Sequence, residues 1–229
     1  MFNSRPYKYQ TRLTYFKDLK RLGVWDLDID KVDSALIRDV VETIKTQSTR
    51  KRLFITARSI FKDLGKCQDL PHLDAEAIFA NYTPVENQSP SMANKHHYRI
   101  DLINEILSVD EILISTPLWN WSIPSVLKAY IDQIVVTGVF DNGKPGLTGK
   151  KVTYVIAQGG SYKEGTPKAG WDFATGYLEL VAKALGATDI ETILAEFTLS
   201  GVAPGMDFLK DAKAKSLETA LSAARKRAA

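Results

Sequence analysis

The feature that most constrains the fold is a short apolar segment followed by a proline-containing loop and an amphipathic helix, between residues 112 and 135. Ile112, Leu113 and Ile114 form an apolar run rich in β-branched residues, which is typical of a strand covered on both faces in a parallel sheet. Pro117 cannot donate a hydrogen bond to a neighbouring strand, so we expect the chain to leave the sheet near Thr116. The helix that Pro124 begins has an apolar face made by Val126, Leu127, Tyr130, Ile131, Ile134 and Val135.

Strands and helices alternate along the rest of the chain as well. Further strands are predicted at Arg12–Phe16, Leu53–Ala57, Val152–Ala157 and Glu191–Ala195. Helices are predicted from Asp33 to Ile44, from Ala75 to Asn81, from Asn94 to Leu107, from Ala169 to Leu185 and from Met206 to Ala224. This alternation predicts an α/β fold with three layers, in which helices cover both faces of a doubly wound parallel sheet. We expect one domain over residues 1–229, with residues 1–10 as an irregular arm.

The charge balance of the chain argues against a polyanionic partner. Its 229 residues include 30 basic and 27 acidic side chains, so net charge favours binding neither to nucleic acid nor to a membrane surface. Cys67 is the only cysteine, which excludes an intrachain disulfide and gives no sign of an oxidising compartment. No apolar run approaches the length of a membrane span. We therefore expect a cytoplasmic protein that acts on a small molecule.

Two loops with ligand-binding character follow two of the predicted strands. Trp119, Asn120 and Trp121 offer two indoles and an amide after the first strand described above, and Gly159 and Gly160 follow Val152–Ala157. In open α/β sheets, ligands bind at the carboxyl ends of the strands, and bare glycine backbone allows close approach. This combination favours a flat aromatic ligand with a polar edge. The alternatives are that the indoles plug a sheet edge or a subunit interface, and that the glycines form a tight turn.

Several segments together resemble the FMN-dependent NADH-azoreductase and NAD(P)H quinone reductase family, which has a flavodoxin-like fold. The matching segments are Ser115–Asp132, Gly146–Lys151, Gly159–Gly160 and the acidic Leu-Pro segment Asp69–Asp74. The resemblance implies an FMN-dependent oxidoreductase that takes hydride from NADH or NADPH through flavin N5. It also implies ping-pong reduction of quinones, azo compounds or similar flat conjugated acceptors, in a homodimer whose sites lie at the subunit interface.

The resemblance also implies roles for particular residues. It places Tyr162 at the polar edge of the flavin ring, and the phenol of this residue, not the resemblance, makes it our candidate catalytic residue. No metal site is implied. The candidate cofactor-binding residues are Pro117, Leu118, Trp119, Asn120, Trp121, Gln158, Gly159, Gly160 and, for the phosphate, Ser34.

The amino-terminal region departs from this family, which binds the FMN phosphate in a serine-rich loop after the first strand. If Arg12–Phe16 is the first strand, the corresponding loop is Gly23–Ser34, where only Ser34 matches. Its four carboxylates would repel a phosphate, each close pair at a cost of about 1 kcal/mol even in water. In a second alignment, Leu53–Ala57 is the first strand, and Arg58 and Ser59 contact the anion.

That departure leaves two other functions open. A member that has lost FMN could use Trp119, Trp121 and Tyr162 for an isomerase, cyclase or lyase reaction, with Asp172, His96 and His97 as further acid or base candidates. Each of those three also has a plain structural interpretation, as a residue at the start of a helix. The other possibility is a binding protein without catalysis, because a fold does not determine a function.

Overall fold

The computed structural model describes the backbone of residues 52–56 and the whole of residues 70–137 and 146–228. The predicted strand Arg12–Phe16, the predicted helix from Asp33, and Ser34 with the acidic segment before it all lie outside the described residues. The same is true of Arg58, Ser59 and Cys67.

Four described strands form one parallel sheet, as predicted. They are β1 (Arg52–Thr56), β2 (Glu111–Pro117), β3 (Lys151–Ala157) and β4 (Asp189–Ala195), and they lie side by side in that order. Glu111 is in register with Arg52 on one side and with Lys151 on the other, and Lys151 is in register with Asp189. Because the strands start at one level, the loops after Pro117, Ala157 and Ala195 leave the same edge of the sheet.

Helices cover both faces of the sheet and make the three layers that the sequence predicts. The helices are α1 (Ala75–Ala80), α2 (Pro90–Leu107), α3 (Ser125–Ile134), α4 (Thr175–Ala184) and α5 (Lys210–Ala228). Alternate residues of a strand point to opposite faces. Ile112 and Ile114 therefore pack in the cluster that includes α2, α3 and α4, whereas Leu113 packs with Ala220 and Ala224 of α5.

Helix α3 shows why the opening segment has its apolar pattern. Leu127, Tyr130, Ile131 and Ile134 are buried, as the spacing predicts, while Val135 lies just after the helix and is exposed. Pro124 is the residue before the first turn rather than part of it. All seven residues of β2 are buried, and Pro117 is its last residue, one position beyond the predicted end.

Three helices begin elsewhere than predicted. The last of them, α5, begins at Lys210 rather than Met206, after a short 3-10 turn over Asp207–Leu209, and ends at Ala228 rather than Ala224. The helix predicted from Ala169 begins at Thr175, because Gly170 has a φ of +79° and the Asp172 carboxylate accepts the backbone N–H groups of Ala174 and Thr175. The helix predicted from Asn94 begins at Pro90, where the hydroxyl of the preceding Ser89 accepts the Met92 N–H and caps the first turn.

The position of β1 bears on the prediction that residues 53–57 form a second strand after Arg12–Phe16. β1 pairs directly with β2 along its whole length. In the flavodoxin-like strand order 2-1-3-4-5, the strand beside the third is the first. By its neighbour, β1 holds the place of the first strand, as in the second alignment. By chain order it holds the place of the second strand, because the structure describes no strand in residues 70–110 before β2. Both alignments therefore remain predictions. Among the described helices, none combines the length and the hydropathy that a bilayer crossing requires.

Candidate functional site

A tight turn with two non-glycine residues in left-handed conformation follows β2. Trp119 and Ser122 exchange two backbone hydrogen bonds of 2.9 Å. Between them, Asn120 and Trp121 have φ values of +47° and +64°, as both central residues of a type I′ turn do. Asparagine tolerates this conformation, but tryptophan does so at an energetic cost. The N–H of Leu118 donates to the Ala157 carbonyl at 2.8 Å and ties the base of the turn to the end of β3.

A second aromatic segment, residues 171–173, holds this turn in place. The Phe173 N–H donates to the Trp121 carbonyl at 2.9 Å. The indole of Trp171 meets that of Trp121 edge to face, with ring centroids 5.3 Å apart and planes at 87°. Sequence reasoning missed Trp171 and Phe173, although a Trp-Asp-Phe segment directly before an amphipathic helix was the available signal. Together the three aromatic side chains form an exposed rim, with 43%, 45% and 64% of Trp121, Trp171 and Phe173 accessible to solvent.

An open pocket of about 590 Å³ lies between the turn, α3 and the start of α4. Its volume is within the usual range of small-molecule sites, roughly 300–1,000 Å³. Its walls are Trp119, Asn120, Ser122, Ile123, Pro124, Ser125, Lys128, Phe173 and Tyr177. The sequence predicted one site shared by the indoles and the Gly-Gly loop. The pocket instead shares Trp119, Asn120 and Ser122 with the turn, and neither glycine is part of its walls.

Hydrogen bonds from the loop after β4 fix the loop after β3. Gln158 is almost wholly buried, and its N–H donates to the Ala195 carbonyl at 2.8 Å. Its own carbonyl accepts hydrogen bonds from the N–H and the hydroxyl of Thr198, each at 3.0 Å. Its side-chain amide donates to the Asp172 carboxylate at 2.7 Å. Gln158 is therefore a supporting residue whose side chain points into the protein.

The two glycines that follow have different surroundings. A Cβ atom on Gly159 would lie 2.7 Å from Cδ1 and 3.0 Å from Cγ of Leu199, whereas one on Gly160 would meet nothing within 4 Å. Neither Gly159 nor Gly160 has a positive φ. Packing therefore accounts for Gly159, and neither packing nor conformation in the described part of the chain accounts for Gly160.

Tyr162 lies between two residues whose side chains bind the same buried carboxylate. The Ser161 hydroxyl donates to Oε1 of Glu196 at 2.6 Å, and the Lys163 ammonium forms an ion pair with Oε2. The Gly170 N–H donates to the Tyr162 carbonyl at 3.1 Å. Partial burial, with a smaller contribution from the Asp172 carboxylate, raises the pKa of Tyr162 above its ordinary value. Its hydroxyl therefore keeps its proton at neutral pH.

The structure does not bring the two histidine candidates to this site. Nδ1 of His96 lies 3.3 Å from the Gln88 side-chain amide and 3.3 Å from the Ala80 carbonyl, where α1 meets α2. The His97 side chain is exposed and lies 3.6 Å from the Asp101 carboxylate on the same helix. Asp172 is near Tyr162, but its oxygens accept hydrogen bonds from Gln158 and from the first residues of α4. Within the described ranges, no cluster of three or more potential metal ligands occurs.

Comparisons with known proteins agree with this architecture. Residues 28–226 match the family described as having a flavodoxin-like fold. An FMN-dependent NADH:quinone oxidoreductase of Frankia casuarinae is 46% identical over 161 residues, which cover 69% of this chain and 76% of the relative. Its counterpart in Frankia alni is 40% identical over 162 residues, which cover 69% and 77%.

A solved structure supports the fold separately. The azoreductase of Bacillus anthracis superposes with a TM-score of 0.66 at 23% identity and covers 86% of this chain and 90% of its own. At this identity the likeness is evidence for the fold alone. With the match over residues 28–226 and the similarity to the two Frankia enzymes, the chain belongs to the flavodoxin-like family that contains the FMN-dependent NADH:quinone oxidoreductases.

Proposed function

We propose that this protein is an FMN-dependent NADH:quinone oxidoreductase that reduces quinones, azo compounds or similar flat conjugated acceptors. The names of its relatives support this activity. When bound, FMN supplies the two-electron chemistry that accepts hydride from NADH and delivers it to the acceptor. The single structural observation that carries the proposal is the strained aromatic turn after β2, which lies at the same sheet edge as the Gly159–Gly160 loop.

The described residues fit the ring of FMN. The end of β2 and the turn, Pro117 to Trp121, would lie against one side of the ring, and Gly159 and Gly160 would lie along its polar edge. Gly160 supports this fit because a side chain there would occupy space that the protein leaves open. Asn120 adds an amide that can donate and accept hydrogen bonds. Gln158 would not contact the ring but would hold the loop in place through its hydrogen bonds with Thr198 and Asp172.

The residues of the chain would bind and orient the flavin and would exclude water from it. Tyr162 holds a protonated hydroxyl at neutral pH and would donate a hydrogen bond at the polar edge of the ring. Ser161 and Lys163, both bound to Glu196, keep the segment around Tyr162 in one conformation. The aromatic rim formed by Trp121, Trp171 and Phe173 would exclude water from the reacting face.

We further propose a cytoplasmic homodimer with the site at its interface. The aromatic rim supports this assembly, because contiguous exposed apolar surface on a folded protein commonly marks an interface. Sedimentation velocity of the purified protein, with and without FMN, tests the assembly. A monomer under both conditions would contradict it.

The function is tested with the purified chain. Titration with FMN should quench flavin fluorescence and yield a yellow protein, and the loaded protein should oxidise NADH only when a quinone such as menadione is present. Tyr162→Phe should lower kcat more than it weakens FMN binding, because it removes one hydroxyl and leaves the loop intact. A protein that binds no FMN, or one that binds it without reducing quinone, would contradict the proposed function.

A further inference from the structure

The pocket beside the turn contains one cation among aromatic and small polar walls. Of its nine described lining residues, Lys128 alone is charged, and Trp119, Phe173 and Tyr177 supply aromatic surface. The Lys128 side chain is half exposed, so it can reach a bound molecule. An aromatic ring with an anionic substituent is complementary to this combination, since the ring can stack while the substituent pairs with the ammonium.

The helix does not explain the position of this lysine. Lys128 lies in the first turn of α3, where the helix dipole disfavours a cation, and its partner Asp132 lies in the last turn, where the dipole disfavours an anion. A lysine four residues before an aspartate is also the less favourable order for such a pair. Charges placed against the local preference are expected at functional sites.

The partners of Lys128 leave it available to a ligand. Its ammonium forms an ion pair with Asp132, and exposed pairs of this spacing contribute little to stability. Asp132 has a second cationic neighbour in the buried Arg99, whose pKa burial lowers and the Asp132 charge raises. Tyr177 is also near Lys128. Burial raises the pKa of Tyr177, and the Lys128 ammonium partly offsets that rise. Lys128 can therefore turn to a ligand without leaving Asp132 isolated.

We propose that this pocket binds the electron acceptor and that Lys128 selects acceptors that carry an anionic group on a flat aromatic ring, such as sulfonated or carboxylated quinones. The pocket is adjacent to the proposed flavin site because the two share Trp119 and Asn120. This inference rests on the proposed function for its assignment to the acceptor, but binding of the aromatic anion does not need turnover.

The test compares matched acceptors in the FMN-loaded enzyme. The ratio of kcat/KM for 1,2-naphthoquinone-4-sulfonate to that for 1,2-naphthoquinone should fall about fivefold in Lys128→Met, the upper range for a partly exposed ion pair. It should rise about twofold in Asp132→Asn, which keeps the side-chain shape and frees the ammonium. Lys210→Met, which removes another ion-paired surface lysine, should leave the ratio unchanged.

A second measurement separates this inference from the proposed function. Tryptophan fluorescence in the absence of NADH should report weaker binding of 2-naphthalenesulfonate to Lys128→Met, with binding of neutral 2-naphthalenesulfonamide altered much less. If Lys128→Met weakens binding of the sulfonate as expected but the enzyme reduces no quinone, only the proposed quinone reductase activity is contradicted. Three results would overturn the inference: an unchanged ratio in both variants, an increase in KM for NADH alone, or a changed dimer dissociation constant with unchanged selectivity.

Discussion

At the scale of single residues, the two adjacent glycines serve different purposes. Gly159 leaves room for the side chain of Leu199, whereas Gly160 faces open space. The Leu199 N–H donates to the Gly159 carbonyl at 3.3 Å, and the Phe197 N–H donates to the Gly160 carbonyl at 3.3 Å. The loop after β4 therefore fixes the backbone position of both glycines. One position is thus a packing constraint, and the other is available to a ligand.

Alanine substitutions at the two positions should separate these roles. Gly159→Ala should lower the free energy of unfolding by about 1–3 kcal/mol, because Leu199 must move to relieve the overlap. Leu199→Ala should recover part of that loss in the double variant. Gly160→Ala should leave stability nearly unchanged and weaken FMN binding about tenfold, because the added methyl group would occupy the space proposed for the ring. Urea denaturation and fluorescence titration with FMN measure the two effects.

The opposite pattern would contradict these assignments. If Gly160→Ala bound FMN normally, the ring would not approach that backbone. If Gly159→Ala were fully stable, Leu199 would not restrict the loop.

The sequence revealed the Gly-Gly pair and the indoles but not the contacts that distinguish them. Leu199 follows a different strand from Gly159, so no local spacing predicts their overlap. The same holds for Glu196, which binds Ser161 and Lys163 on either side of Tyr162. By contrast, the identity of the turn residues was accessible, since strand, proline and aromatic turn are contiguous in the chain.

At the scale of elements, β3 and α4 are joined by one buried tyrosine. The Tyr154 hydroxyl donates to the Leu178 carbonyl at 2.9 Å, inside the cluster that covers one face of the sheet. Burial raises the pKa of Tyr154 far above its ordinary value. The folded protein therefore keeps this proton in alkaline solution when the unfolded chain has lost it.

Tyr154→Phe should change the stability of the protein in alkaline solution. Since the pKa of Tyr154 is higher in the folded state, its contribution to stability is complete below about pH 10 and decreases above it, by up to about 1.4 kcal/mol per pH unit. The variant should cost about 1 kcal/mol at pH 8 through the lost hydrogen bond. Above pH 10 its stability should fall less steeply than that of the wild type. Urea denaturation from pH 8 to 11 measures both quantities, and equal slopes would contradict burial of this phenol.

Local periodicity predicted most elements but not all of their ends. The apolar pattern gave β2, β3 and α3 because each buries a continuous face. The start of α4 was missed because the Asp172 carboxylate, which accepts the N–H groups of Ala174 and Thr175, also binds Gln158 in the distant loop after β3. A cap shared with a distant residue has no periodic signal.

At the scale of the whole molecule, strand order decides which segments reach the site. Each described strand pairs in register with its neighbours, so the chain leaves β1, β2 and β3 at one edge. The sequence predicted the parallel sheet but not that residues 52–56 pair directly with β2. Pairing between strands separated by more than 50 residues is a non-local property, and composition alone could not distinguish the two alignments.

The pairing of β1 with β2 predicts which residues bind the FMN phosphate. In this strand order the loop after the first strand carries the phosphate site, and Ala57, Arg58 and Ser59 follow β1 directly in the sequence. A guanidinium pairs well with a phosphate, whereas the four aspartates before Ser34 would repel it. Arg58→Ala should therefore weaken FMN binding at least tenfold, Ser59→Ala severalfold, and Ser34→Ala little if at all.

Binding of riboflavin, which has the same ring without the phosphate, distinguishes loss of the phosphate contact from a general loss of structure. Because only the phosphate contact is removed, Arg58→Ala should bind riboflavin as well as the wild type does, while Gly160→Ala should bind both flavins more weakly. Raising the salt concentration should reduce FMN affinity in the wild type more than in Arg58→Ala, since a lost charge pair can no longer be screened. Greater sensitivity of FMN binding to Ser34→Ala than to Arg58→Ala would return the phosphate site to the amino-terminal segment and contradict the first-strand position of β1.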